Sequence, residues 1–193
     1  MKRKSEINRK TKETEVMVKL DLDGSGKSIV NTGVGFLDHM LRLMAFHAKI
    51  DLNVEGKGDI DVDDHHLIED IGITLGTCIL EALGKKEGIQ RYSTVYLPMD
   101  EALARVCIDI SGRSYLVFNA EFNRENINGF STEMVEEFLR ALAFNMKTTL
   151  HVEIEYGTND HHKIEAIFKG LGKALKEAIR VDGTELPSTK GII

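Results

Sequence analysis

The chain has 193 residues, 42% of them apolar, and its 31 acidic against 25 basic side chains leave a net charge of -6. That length is enough for a sizeable core, and no apolar run approaches the roughly 18 residues of a membrane span, so a soluble globular protein is expected and a membrane protein excluded. The acidic balance gives no blanket attraction to nucleic acid, and the basic stripe of a nucleic-acid-binding module is missing.

Along 13–22, Val16, Val18, Leu20 and Leu22 alternate with polar neighbours, which predicts a strand, and Asp23-Gly24-Ser25-Gly26 turns it into a second strand over 27–30. Leu37, Met40, Leu41, Met44 and Ala48 recur at helical spacing over 36–48. Ile50, Leu52 and Val54 alternate as a further strand, closed by Glu55-Gly56-Lys57-Gly58. A helix follows Asp64, with Leu67, Ile68, Ile71, Leu75, Ile79 and Leu83 as its apolar stripe and Gly84 as its end. The same order returns as strands over 103–110 and 115–120, a helix over 131–146, a strand over 149–156 and a helix over 161–181.

The return is a duplication. Glu13, Val18, Leu20, Asp21 and Gly24 fall in register with Glu101, Val106, Ile108, Asp109 and Gly112. The segment 38–47 lies over 136–145, which sets His39 against Glu137, and Gly76 lies over Gly172. Each half thus reads β-β-α-β-α, an α+β architecture of mixed sheets with an antiparallel hairpin and with helices on one face. The linker around 85–93 is short and not Pro- or Ser-rich. A single domain over 1–193 is therefore expected, made of repeats 9–88 and 95–181 whose helical faces pack together, with a substrate-binding tail over 182–193.

Within the repeat one string occurs twice, as Asp64-His65-His66-Leu67-Ile68-Glu69 and as Asp160-His161-His162-Lys163-Ile164-Glu165. Asp64 and Asp160 would serve as helix N-caps, but a cap needs the aspartate and neither histidine. On a helix both histidines lie three or four residues from the glutamate, so the three side chains are expected on one face as ligands for a transition metal. Cys78 and Cys107 sit inside apolar periodic segments and read as buried thiols. No apolar stretch follows the basic start Met1-Lys2-Arg3-Lys4-Ser5, so no signal peptide is expected, and the expected compartment is a reducing cytoplasm.

Taken in order, Thr11-Lys-Glu-Thr14, Gly35-Phe-Leu-Asp-His-Met-Leu41, Asp63-Asp-His-His66 with Glu69, Asp100-Glu-Ala-Leu103, Ser111-Gly-Arg113, the second His-His-x-x-Glu with Phe168-Lys169, and Pro187-Ser-Thr-Lys-Gly191 resemble the imidazoleglycerol-phosphate dehydratase family from about Arg9 to Gly191. The resemblance implies a metal-dependent hydro-lyase of histidine biosynthesis that converts imidazole glycerol phosphate to imidazole acetol phosphate. It also implies two Mn2+ per site and self-association into 24 subunits with sites shared between them. The metal ligands it implies are His39, His65, His66, Glu69, His161, His162 and Glu165, with Glu137 where the family usually has histidine. The implied catalytic carboxylates are Glu165, Glu69 and Glu13, with Glu165 as the proton shuttle and Glu13 on the substrate hydroxyls. Substrate binding falls to Glu13, His39, His47, Arg91, Arg113, Lys169, Ser188 and Lys190, the basic and hydroxyl side chains among them matching phosphate positions.

Dehydration must take a proton from a carbon that no carbonyl acidifies, which is why metals on the imidazole ring would be wanted. A dimetal phosphate-ester hydrolase and a metal store use similar ligands. Only the full motif order argues against the first, and the second has no need of Arg113 or of Ser188-Thr-Lys190.

Overall fold

A computed structural model describes residues 3–193; Met1 and Lys2, which open the basic start, lie outside them. The first half runs β1 (Lys4–Lys10), β2 (Thr14–Asp21), β3 (Ser28–Asn31), α1 (Gly35–Ala48), β4 (Asp51–Gly58) and α2 (His65–Leu83). The second runs β5 (Tyr92–Met99), β6 (Ala102–Asp109), β7 (Tyr115–Asn119), a two-residue ladder of β8 (Asn126–Ile127) with β9 (Phe130–Ser131), α3 (Met134–Met146), β10 (Thr149–Tyr156) and α4 (Asp160–Ala178). The duplicated β-β-α-β-α order is present, and each half carries one more strand in front of it. β1 escaped the periodicity because Lys-Ser-Glu-Ile-Asn-Arg-Lys has a single apolar residue, yet it pairs along its whole length with β2 as a sheet edge. β5 begins in the residues assigned to the linker, runs into the second repeat, and tolerates Pro98 because it too is an edge.

The sheets are mixed, with orders β1-β2-β4-β3 and β5-β6-β10-β7. β4 lies between β2 and β3, antiparallel to the first and parallel to the second, so the expected hairpin across Asp23-Gly24-Ser25-Gly26 does not form. The hairpins of the two large sheets are β1-β2 and β5-β6 instead. Gly56 and Gly58, expected to close a strand, belong to β4. A Cβ on either would meet Leu67 at 3.2 Å or closer, so their bareness lets α2 lie down on the sheet.

The remaining departures also have local causes. α3 starts at Met134 because Phe130 and Ser131 are held in the β8-β9 ladder. α4 stops at Ala178, whose carbonyl accepts the Arg91 amide, and Val181 pairs in a bridge with Ile89. Cys78 is buried, but Cys107 is only half-buried, because it lies on the outer face of its sheet beside His151.

Helices α1 and α2 cover the first sheet and α3 and α4 the second, and the two helical layers face each other, with α1 packed on α4 and α2 on α3. One apolar cluster runs through both halves. Glycine inside a helix costs about 1 kcal/mol relative to alanine, yet the repeat keeps one in each long helix. A Cβ on Gly172 would stand 2.5 Å from the Met44 carbonyl of α1, and one on Gly76 would stand 2.5 Å from the Leu142 carbonyl of α3. The two glycines therefore set how closely each helix pair approaches. Gly172→Ala is expected to force α1 from α4 and to lower stability by about 1–3 kcal/mol, as overpacking does, read as a lower unfolding midpoint.

Candidate metal centre and active site

The histidine pairs open α2 and α4, and the residue before each aspartate starts the helix. The Asp63 carboxylate accepts the His65 amide at 2.9 Å, and the Asn159 side chain accepts those of His161 at 2.9 Å and His162 at 3.4 Å. The capping expected of Asp64 and Asp160 is thus done one residue earlier. Asp64 instead accepts the Ser131 amide at 2.7 Å and its hydroxyl at 2.8 Å, which ties the start of α2 to the segment entering α3. Asp160 accepts the amides of Asn123 and Arg124, each at 2.8 Å, and the Lys163 ammonium at 2.9 Å. Both aspartates are buried, so they anchor the histidine-bearing ends rather than cap them.

One cluster gathers His39 from α1 with His161 and Glu165 from α4, their donor atoms within 4.8 Å of one another. Nε2 of His161 is 3.1 Å and Nε2 of His39 is 3.6 Å from the same Glu165 oxygen. The other cluster gathers Glu13, Asp59 and His66. Ligand atoms held at about 2.1 Å from a shared ion stand a few ångströms apart, so two imidazoles with one carboxylate fit a divalent transition metal. The Asp59 carboxylate also has a buried oxygen without a hydrogen-bond partner, the kind of orphan that an ion or a ligand satisfies.

The two histidines of a string do not share a face as expected, because neighbours on a helix project in different directions. His161 meets Glu165, whereas His162 places Nδ1 at 2.7 Å from Glu101. His66 places Nδ1 at 3.1 Å from Asp59, with Glu13 at 3.8 Å. Nor does each half assemble its own four ligands. His39 serves the α4 string of the other half because α1 packs on α4. His65, Glu69 and Glu137 are half-buried and form no such triad; Glu137 lies 3.5 Å from Arg140. Asp59 and the contact of Glu101 with His162 were not found from sequence. Glu101 had a signal in its alignment with Glu13, whereas Asp59 sits in a stretch rich in aspartate where nothing distinguishes it.

Burial pulls the Glu165 carboxyl up, but the hydrogen bond and charge of Lys169, then His161 and His39, outweigh it and hold it below the ordinary glutamate range. Glu101 is pushed down to about 2 by its hydrogen bond with His162 and by the Asn159 amide. His47, one helical stretch beyond His39, is lowered by burial and then by Lys173 and Lys169.

At the other end of α4, Arg91, Arg113, Ser188 and Lys190 line one cavity of about 340 Å³ with Tyr92, Pro187, Thr189 and Ile192. Arg91 is buried there in a left-handed backbone conformation (φ 73°), bonded through Nε to Asp109 at 2.7 Å and through Nη1 to the Pro187 carbonyl at 2.9 Å. It pins the tail, while Arg113 and Lys190 remain exposed. Lys169 is not in this cavity; its ammonium is paired with Glu165.

A family model described as imidazoleglycerol-phosphate dehydratase matches residues 32–175. The chain belongs to the imidazoleglycerol-phosphate dehydratase family. It is 56% identical over 193 residues to the imidazoleglycerol-phosphate dehydratase of Clostridium novyi, covering 99% of this chain and 98% of that one. It is 54% identical to the protein of the same name from Clostridioides difficile, over 97% of both. Two solved structures are similar. The imidazoleglycerol-phosphate dehydratase of Staphylococcus aureus shares 45% identity at a TM-score of 0.84, over 93% of this chain and 99% of that one. The Pyrococcus furiosus protein, solved in complex with (S)-C348, shares 36% identity at a TM-score of 0.85, over 97% of this chain and all of that one. Among the described residues no helix is long and apolar enough to cross a membrane.

Loss of the Asp160 anchor leaves the Lys163 ammonium buried without its partner. Asp160→Ala is expected to cost about 3–5 kcal/mol by that mechanism. Asp64→Ala, which orphans an amide and a hydroxyl, is expected to cost about 1–3 kcal/mol, both read from denaturant unfolding.

Proposed function

We propose that this chain is a hydro-lyase of histidine biosynthesis that dehydrates imidazole glycerol phosphate to imidazole acetol phosphate, at dimetal sites completed between copies of itself. Family membership carries the reaction. The His39, His161 and Glu165 cluster supports a metal in the site.

The assigned metals are two Mn2+ per site. His39, His161 and Glu165 would hold one, and by the repeat Glu137, His65 and Glu69 would hold the other, since α3 lies on α2 as α1 lies on α4. A carboxylate at position 137 is a competent manganese ligand. The remaining histidines, His66 and His162, diverge from their own helix's set and would complete an ion from another copy. When bound, the metals supply Lewis acidity and orient the imidazole ring. Glu165, kept ionised chiefly by Lys169, takes the proton from the middle carbon of the glycerol chain, the hydroxyl on the carbon beside the ring takes up a proton and leaves as water, and the enol left behind becomes the ketone, with Glu69 as the counterpart of Glu165 at the second set. Glu13, whose side chain is 57% exposed, contacts the glycerol hydroxyls, and His47 lines the pocket near Lys169. Arg113, Ser188 and Lys190 hold the phosphate, in the cavity whose wall Arg91 fixes.

The separation of these parts supports sharing between copies. The ligand cluster lies in the first turns of α4, and the phosphate cavity is anchored on its last carbonyl, at Ala178. From His161 to Ala178 the helix rises about 25 Å at ~1.5 Å per residue. A substrate of one imidazole ring, three carbons and a phosphate is roughly 10 Å long at ~1.5 Å per bond. One copy therefore cannot hold both ends of it, and self-association, as 24 subunits by the resemblance, becomes a condition of activity. The free thiols Cys78 and Cys107 support a reducing, cytoplasmic setting.

Mn2+-loaded protein is expected to consume imidazole glycerol phosphate, and chelation to abolish this; failure of the loaded, assembled protein to turn over that substrate rejects the assignment. His161→Ala and Arg113→Ala are each expected to be inactive, and subunits of both refolded into one assembly are expected to regain turnover. No regain on mixing rejects sharing between copies.

A further inference from the structure

We propose that Glu101 and Asp59 are positioning residues that hold Nδ1 of His162 and of His66 so that Nε2 of each ring is presented to a divalent ion; this rests on the dimetal reading above. An ionised carboxylate only accepts, so the ring nitrogen facing it must be the donor, and a neutral imidazole then keeps its lone pair on the other nitrogen. His162 donates from Nδ1 to Glu101 at 2.7 Å, and its Nε2 stands 3.8 Å from Asp100, too far for a hydrogen bond. Glu101 is itself fixed, because its other oxygen accepts the amides of Thr158 at 3.1 Å and Asn159 at 2.7 Å, just before α4. Ring and helix start are thus held by one carboxylate, as outer-shell partners of metal-binding histidines commonly do.

In the first half the same task has passed to a different residue. The repeat partner of Glu101 is Glu13, but Glu13 stands 3.8 Å from His66 Nδ1, while Asp59 is within hydrogen-bond reach at 3.1 Å. Asp59 comes from a longer connection: residues 59–62 lie between β4 and Asp63, against 157–158 between β10 and Asn159. The extra length lets the chain turn a carboxylate back onto His66. Glu13 is thereby released toward the substrate, and two glutamates that began as copies acquire different roles.

Mn2+ affinity of the assembled full-length protein decides this, with free Mn2+ read by electron paramagnetic resonance. Glu101→Gln and Asp59→Asn are expected to weaken binding ~10–100-fold, and Glu13→Gln to leave affinity within about twofold while raising KM. If Glu101→Gln does not fold, Asp59→Asn carries the test alone, because among the described residues the Asp59 side chain hydrogen-bonds only His66. Wild-type affinity in Asp59→Asn, or equal weakening in Glu13→Gln, overturns the proposal while leaving the metal reading intact. Absence of Mn2+ binding by the wild type overturns the metal reading and this proposal together.

Discussion

The close crossing of α1 on α4 and of α2 on α3 is the contact on which the site depends. Both crossings run over a helix glycine, Gly172 or Gly76, with a neighbouring backbone carbonyl where a Cβ would be. These helix pairs supply most of the contact that joins the halves into one core. The same approach carries His39 to His161 and Glu165. A larger residue at either glycine would act on stability and on ligand geometry together, which accounts for a residue unfavourable to helices at both positions.

Around that contact, buried carboxylates fix where the helices begin. Asp64 and Asp160 tie the histidine-bearing ends to segments near α3 and after β7. Because each carboxylate takes at least one backbone amide of a neighbouring segment, the candidate ligands rest on anchored ends rather than on free loops. Lys163 neutralises the more deeply buried of the two. The metal cluster is built this way on rigid helix starts, while Ser188 and Lys190 sit on a tail held down by Arg91.

The duplication explains much of the chemistry and also its asymmetry. Histidine at position 39 is answered by glutamate at 137, and Glu101 on a ring nitrogen is answered by an exposed Glu13. Copies that start identical are free to diverge when each site takes parts from both halves, since each part then answers to a different environment. The cluster at the start of α4 and the tail cavity beside its last carbonyl stand about 25 Å apart by the rise of the helix.

The α+β class, the repeat, the strand and helix periodicities and the candidate ligand types were all legible in the sequence, because apolar spacing and paired motifs are local properties. Strands β1 and β5 were not, since an edge strand needs few apolar residues and draws its stability from the ladder with its neighbour. Nor was the position of β4 between β2 and β3, because pairing partners far apart in the chain leave no periodic trace. Residue types and spacing alone establish that histidines and carboxylates of metal-binding type occur in two related sets. Which of them meet depends on contacts between distant parts of the chain: packing across the halves joins His39 to His161 and Glu165, and the projection of adjacent helix residues sends His162 to Glu101 and His66 to Asp59.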